Sequence, residues 1–177
     1  MKLAGTQTLP APRQAVWRLL TDPVCLATCL PGCEKLEPTA AHTYRGELQL
    51  GVAAIKGRYS GTVKLEDIQA PHHYKLVLDG KGRQGFIRGA GTIDLTEQAD
   101  HTVLRYSGDV QLGGPLASVG QRMLDGVAKM MLGQFFSALE AELSAMPGQA
   151  VRQGGLLNLW RALARWLRSR FGFKRQS

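Results

Sequence analysis

Two hydrophobic periodicities divide the chain. Across residues 34–113 apolar positions recur every second residue: Leu48, Leu50 and Val52 against Glu47 and Gln49, Val63 and Leu65 against Thr62, Lys64 and Glu66, Leu76 and Leu78 against Lys75 and Asp79. Ile87, Ile93 and Leu95 continue the scheme against Arg88, Thr92 and Asp94, and Leu104, Tyr106, Val110 and Leu112 continue it against Arg105, Ser107 and Asp109. Such alternation predicts an antiparallel meander with one face of each strand buried. Ahead of it, residues 2–9 alternate weakly and stop at Pro10-Ala11-Pro12, which reads as a short strand and then a helix with Pro12 in its first turn. Ala15, Val16, Leu19 and Leu20, with Trp17 alongside, supply that helix with an apolar face. Asp22-Pro23 ends it and caps a second short helix over residues 24–30, which Pro31-Gly32 terminates.

Residues 115–146 switch to helical spacing. Leu116, Gly120, Met123, Leu124, Val127, Met130, Met131, Gln134, Phe135 and Ala138 share one face, with Arg122, Asp125, Lys129 and Glu140 opposite. A second stripe, Leu132, Phe136, Leu139 and Leu143, makes the last turns apolar nearly all round, so that end is either covered on two sides or offered to a partner. Of the 21 glycines, 12 fall between residues 43 and 114, and Gly46, Gly61, Gly89, Gly91 and Gly108 lie on the inward phase of the strands. A missing side chain there either bends the strand or leaves space. An α+β fold follows, a curved sheet around a long C-terminal helix with an apolar cavity between them. The expected lining is Leu48, Leu50, Tyr59, Leu76, Leu78 and Tyr106 from the sheet, with Met123, Val127, Met130, Met131 and Gln134 from the helix.

Charge separates a third region. Residues 1–150 hold 15 Lys and Arg against 14 Asp and Glu, whereas residues 151–177 hold seven basic residues and no acid. A nearly neutral body excludes a nucleic-acid face spread over the domain, which needs clustered cations along a groove. In the tail, Leu156, Leu157, Leu159, Trp160, Leu163, Ala164, Trp166, Leu167 and Phe171 project onto one arc, with Arg161, Arg165 and Arg168 opposite. Sixteen residues rise only about 24 Å as a helix and carry arginine mid-span, which disfavours crossing a bilayer and favours lying on it. Anionic lipid adds about 1 kcal/mol per basic residue near the surface. The organisation expected is therefore a ligand-binding domain over residues 1–146, a linker over 147–155 and a basic amphipathic membrane-surface tail over 156–177. Docking of the tail on protein is the alternative.

Motifs for catalysis or metal binding fail on context. Gly80-Lys81-Gly82-Arg83-Gln84-Gly85 spells a dinucleotide fingerprint, but strand alternation continues after it where a helix N-terminus would have to hold a pyrophosphate. Cys25, Cys29 and Cys33 lack a fourth soft ligand, His42, His72, His73 and His101 fall at turns, and buried thiols in a reducing compartment are expected. Strand carboxylates read as outward, and G-x-S-x-G and H-E-x-x-H are absent from the sequence. The inward polar groups reduce to Gln134 and the hydroxyls of Tyr44, Tyr59, Tyr74 and Tyr106, which orient a ligand more readily than they catalyse. No catalytic or metal-binding residue is therefore assigned, and no covalent cofactor. The first 20 residues lack the order of a secretory signal, and no run of 18 apolar residues occurs, so a cytoplasmic protein peripheral on the inner membrane face is expected.

Taken together, Pro10-Ala11-Pro12 with Val16-Trp17, Asp22-Pro23, Cys29-Leu30-Pro31-Gly32-Cys33, Ile55-Lys56-Gly57, Gly85-Phe86 with Gly89, Gly113-Gly114 and residues 124–129 before Gln134-Phe135-Phe136 resemble the G-subunit family of carbon monoxide dehydrogenase over residues 1–143. Its relatives form the START-like, helix-grip superfamily. Ala54 departs from the pattern, where relatives often carry Pro before the Ile/Val-Lys-Gly turn. The resemblance implies a seven-stranded sheet gripping the final helix over an apolar cavity. It also implies an accessory role beside a molybdenum hydroxylase of the carbon monoxide dehydrogenase type, recruitment of such an enzyme to the membrane, and binding of an isoprenoid quinone such as menaquinone. The leading expectation is thus a lipid- or quinone-binding module that is not an enzyme. An assembly adaptor using the stripe Leu132, Phe136, Leu139 and Leu143 without a small ligand is the alternative, and a cyclase or hydrolase ranks last for want of an inward acid or base.

Overall fold

The computed structural model describes residues 1–52 and 55–146. The expectations for Ala54, for the linker at 147–155 and for the tail residues Leu156, Trp160, Arg161, Leu163, Arg165, Trp166, Leu167, Arg168 and Phe171 lie outside the described residues.

Strand β1 (Lys2–Leu9) leads into helices α1 (Arg13–Thr21) and α2 (Pro23–Cys29). Six strands follow: β2 (Cys33–Ala40), β3 (Thr43–Leu50), β4 (Gly57–Gln69), β5 (His73–Gly82), β6 (Gly85–Gln98) and β7 (His101–Gly113). A 3-10 turn (Gly114–Ser118) then leads to the long helix α3 (Gln121–Ala145). The seven strands form one open sheet in the order β1-β7-β6-β5-β4-β3-β2, antiparallel throughout. Chain order and space agree except at β1, which the two short helices separate from β2 and which pairs with the last strand. The free edge at β2 is protected in the usual ways, with Pro38 in the strand, two register shifts against β3, and a Lys35–Glu37 ion pair at 2.9 Å.

Local signals explain the helix ends. The Asp22 carboxylate accepts from the Val24 amide at 2.8 Å and the Cys25 amide at 3.4 Å, and Pro23 takes the first position, where its missing N–H costs nothing. Helix α3 starts later than its periodicity predicts. Pro115 opens the 3-10 turn, and Gly120 at φ +93° breaks the chain just before Gln121, so the expected start at residue 115 is corrected to Gln121.

Register places Leu3, Tyr44, Leu48, Leu50, Tyr59, Val63, Leu65, Leu76, Leu78, Ile87, Ile93, Leu95, Leu104, Tyr106, Val110 and Leu112 on one concave face, as the alternation predicts. One end of that face is packed. Trp17 of α1 meets Tyr74 edge-on with ring centroids 5.6 Å apart, Phe136 of α3 meets Tyr106 at 5.7 Å, and Gln7 donates to Glu140 at 2.9 Å. Leu9, Val16, Leu19, Leu104, Leu139 and Leu143 are almost wholly buried. Thr102, the one buried polar residue among those described, donates its hydroxyl to the Ala11 carbonyl at 2.7 Å. The other end holds a smaller cluster of Leu50, Ile55, Tyr59 and Leu116, against which Leu48, Ile87, Leu112, Leu124, Val127 and Met131 pack.

Candidate functional site

Between those two packed ends run the rows that face α3. One reads Tyr44, Val63, Leu78, Gly89, Val110 and the next Leu65, Leu76, Gly91, Gly108, Leu3. Leu3, Val63, Leu76, Leu78, Val110 and Leu112 are only half-buried although they point to the helix side of the sheet. Apolar side chains on an inward face normally lose their solvent contact to the layer above. Here they keep part of it, and no residue in the first half of α3 is fully buried, although Leu124, Val127 and Met131 pack against the smaller cluster.

Glycine explains the curvature of this face more than its emptiness. A Cβ at Gly61 would meet the Asp79 carbonyl oxygen and lie 2.6 Å from the Gly80 Cα, and one at Gly91 would lie 2.7 Å from the Ser107 carbonyl oxygen. The neighbouring backbones therefore close in where the sheet coils, the bend alternative of the two the sequence offers. Gly80 differs, with nothing nearer than 3.8 Å. At Gly5 the absent side chain is replaced by the Tyr106 ring, which lies over it.

Two clefts open beside the first turns of α3. One, of about 450 Å³, is lined by Met1, Phe86, Val110, Leu112, Gln121 and Leu124 among others; the second, of about 590 Å³, by Leu3, Ala4, Tyr106, Asp109, Asp125, Lys129 and Leu132 among others. Met1 and Gln121 border both. The smaller cleft is lined mainly by apolar side chains, whereas the larger is mixed, with Lys2, Asp109, Asp125 and Lys129 carrying side-chain charge.

The inward hydroxyls sort themselves. Tyr59 donates to the Ile55 carbonyl at 2.9 Å, with burial pushing its phenol pKa up, and Tyr44 donates to the Thr21 carbonyl at 3.5 Å. Burial, followed by the nearby Tyr44, raises Tyr74 further. Tyr106 makes no hydrogen bond among the described residues, lies over Gly5 and lines the larger cleft. All three thiols are free, and burial is the first cause holding each above its ordinary pKa, so they stay protonated at neutral pH and poorly nucleophilic. The Gly80–Gly85 stretch forms the β5–β6 turn, with Gly82 paired to Gly85 and no helix following.

The sequence-derived lining is brought together only in part. Leu50 and Tyr59 are buried in the smaller cluster with Leu48, Val127 and Met131 against it, Leu76 and Leu78 are half-buried on the concave face, and Tyr106 borders a cleft. Met123 and Met130 are instead 55% and 40% exposed, and Gln134 is exposed too. The correction extends to the second stripe, since Phe136, Leu139 and Leu143 are the buried residues of α3 and cannot form a docking surface. A helix apolar nearly all round gives periodicity two faces to choose from, and the sheet took part of each: Leu124, Val127 and Met131 of the first stripe in the first half, Phe136, Leu139 and Leu143 of the second in the last turns. Leu3, Leu124, Leu132 and Gln121 were absent from the predicted lining. Leu3 is found only by knowing that β1 lies beside β7.

With this geometry in place, the comparisons with known proteins decide the family. Residues 5–144 match the family described as CoxG, the G subunit of carbon monoxide dehydrogenase. The chain belongs to that family. A conserved protein from Geobacillus kaustophilus, known from its crystal structure, is 39% identical to this CoxG-family chain with a TM-score of 0.80, covering 81% of this chain and 95% of that one. A START superfamily protein from Mycobacterium smegmatis is 14% identical with a TM-score of 0.66, covering 81% and 97% of the two chains. A protein from Chromobacterium violaceum is 16% identical with a TM-score of 0.61, covering 82% and 98%. At such identities the last two speak for the START-like fold alone. No curated protein matches the sequence. Among the described residues no helix is long and apolar enough to cross a membrane.

Proposed function

We propose that this CoxG-family protein is an accessory module, not an enzyme, that shelters a hydrophobic molecule between the concave sheet and the first half of α3. The observation that carries the reading is the set of half-buried inward side chains, Leu3, Leu76, Leu78, Val110 and Leu112, beside clefts of about 450 and 590 Å³. Small-molecule sites typically span about 300–1,000 Å³ with mostly apolar walls and few polar groups. An isoprenoid quinone or another lipid suits that chemistry: the apolar wall of Val110, Leu112 and Leu124 takes the chain, and Tyr106 and Gln121, both lining the larger cleft, are the polar groups able to donate to a carbonyl head. Family membership supports a molybdenum hydroxylase of the carbon monoxide dehydrogenase type as the partner, and the acid-free basic segment at 156–177 supports work on the anionic inner face of the cell membrane.

Organic extraction of the purified full-length protein, followed by mass spectrometry, is expected to release one hydrophobe in near-stoichiometric amount. Empty extracts from protein that also refuses added menaquinone would overturn the reading. The adaptor alternative rests on the exposed methionine face of α3, Met123 and Met130, in place of the stripe now found buried. Replacing both with Gln separates the two roles, because it removes an adaptor's contact and leaves the cleft walls of Val110, Leu112 and Leu124 intact.

A further inference from the structure

The outward side of α3 has an inverted composition for a surface helix. At about 100° per residue, Met123, Gly126, Met130, Gly133, Ser137 and Ala141 share an arc about 80° wide. All of them are exposed and none carries charge, whereas the solvent side of a helix packed on a sheet is normally its charged side. Within the arc Met-x-x-Gly occurs twice, seven residues apart, at Met123 with Gly126 and at Met130 with Gly133. Neither glycine answers a need of the body's own packing: nothing lies within 4 Å of the place a Cβ would take at either, and glycine is a poorer helix former than alanine. The charges lie along one flank of the arc, Arg122 and Lys129 beside the first half and Glu140, about five turns from Arg122, beside the second.

From this pattern we propose that the outward face of α3 is a seam between two copies of the chain, packed helix on helix and antiparallel about a two-fold axis between Met130 and Gly133. Such an axis sets Met130 of each copy over Gly133 of the other, Gly126 against Ser137 and Met123 against Ala141, so each exposed methionine meets a small residue. Methionine is enriched at the core of protein interfaces, where charge is depleted. The same axis brings Arg122 of one copy to Glu140 of the other, on both sides of the seam; a parallel pairing would instead stack Arg122 on Arg122 and Lys129 on Lys129. Gln7 donates to one oxygen of Glu140 and leaves the charge of that carboxylate in place. The chain's own basic segment is the poorer occupant, because seven basic residues and no acid over 151–177 would face Arg122 and Lys129. Pairing gives the methionine face of the adaptor alternative to a second copy of this chain. It goes beyond the hydrophobe reading, since Val110 and Leu112 of the smaller cleft belong to the sheet and take no part in the seam.

Sedimentation equilibrium of the full-length protein, run without lipid, tests the pairing. The wild type is expected to rise with concentration from its chain mass of 19.3 kDa toward twice that value. Met130→Lys, which sets two cations near the axis, is expected to weaken association about ten-fold or more, as changes at the centre of an interface do. Gly126→Ala with Gly133→Ala is expected to act in two directions. The dilute protein unfolds at a higher denaturant midpoint, because alanine favours the helix, while association weakens, because the space opposite Met130 is filled. Mild peroxide reports the face directly, with oxidation of Met123 and Met130 expected to slow as concentration rises through the association range. A single-chain mass at every concentration, or association that both variants leave unchanged, would overturn the proposal. Protection of the two methionines that is the same at every dilution would also overturn it, and would assign the face to another segment of the same chain.

Discussion

The two halves of α3 are built from similar residues and do opposite things. Phe136, Leu139 and Leu143 in the second half are buried, two of them completely, whereas no residue of the first half is, and Met123 and Met130 there are exposed. Hydrophobicity along the helix does not produce this difference. What lies beneath does: the second half sits over Tyr106 and Gln7 at the packed end, and the first half lies toward the coiled part of the sheet, where Gly89, Gly91 and Gly108 let neighbouring backbones close in. The second half anchors the helix to the sheet, and the first half, packed through Leu124, Val127 and Met131 only, borders the clefts.

Breaking the anchor should have the largest effect. Leu139→Ala deletes a fully buried side chain and is expected to cost about 2–5 kcal/mol, read as a lower denaturant midpoint at unchanged slope. The corresponding change in the first half, Met130→Ala, should stay within about 0.5 kcal/mol, as exposed substitutions do. Equal costs would abolish the contrast between the halves.

Next in size is a pair of glycine substitutions that separates bend from space. Gly61→Ala drives a methyl into the Asp79 carbonyl and is expected to destabilise by about 1–3 kcal/mol, the range of overpacking. Gly80→Ala, directly opposite it with no heavy atom nearer than 3.8 Å, is expected to be neutral or to stabilise by up to about 1 kcal/mol by restricting the unfolded chain. The same two proteins compared by thermal unfolding give the answer.

Filling the open side sharpens the comparison without attacking the anchor. Val110→Trp puts an indole at the wall of the smaller cleft and is expected to weaken uptake of a fluorescent hydrophobe by about ten-fold or more while the denaturant midpoint moves little. Undiminished uptake would place the guest elsewhere.

The smallest effect is alkaline. Burial raises the pKa of Tyr59 above its unfolded value, so the folded state holds that proton more tightly. Its contribution is complete below the unfolded pKa, near 10, and is lost as pH climbs through the folded one. Tyr59→Phe should therefore flatten the fall of stability above pH 10, and it should cost about 1 kcal/mol at neutral pH from the lost bond to Ile55. A pH titration of the denaturation midpoint for both proteins checks the sign. Tyr74, raised by burial in the same direction, keeps a residual alkaline slope in the variant.

Strand phase was legible because a period of two has one solution once one face must be buried; Leu48, Leu76, Leu104 and Leu112 all fall where alternation puts them. The short capped helix was legible because Asp22-Pro23 is a local signal satisfied by its own neighbours. The long helix was legible as a helix but not in its orientation. Met123, Met130 and Gln134 compete on equal terms with Leu132, Phe136 and Leu139 in any projection, so nothing local says which stripe meets the sheet.

By itself, then, the sequence determined the class of fold, the inward face of each strand and the family, because these rest on periodicity, caps and residue patterns that act over a few positions. The tertiary structure alone decided which side of α3 is buried, that β1 closes against β7, and where the hollow opens. Those outcomes depend on how a coiled sheet of fixed curvature meets a helix apolar on nearly every side, and such a fit is settled between surfaces distant in the chain.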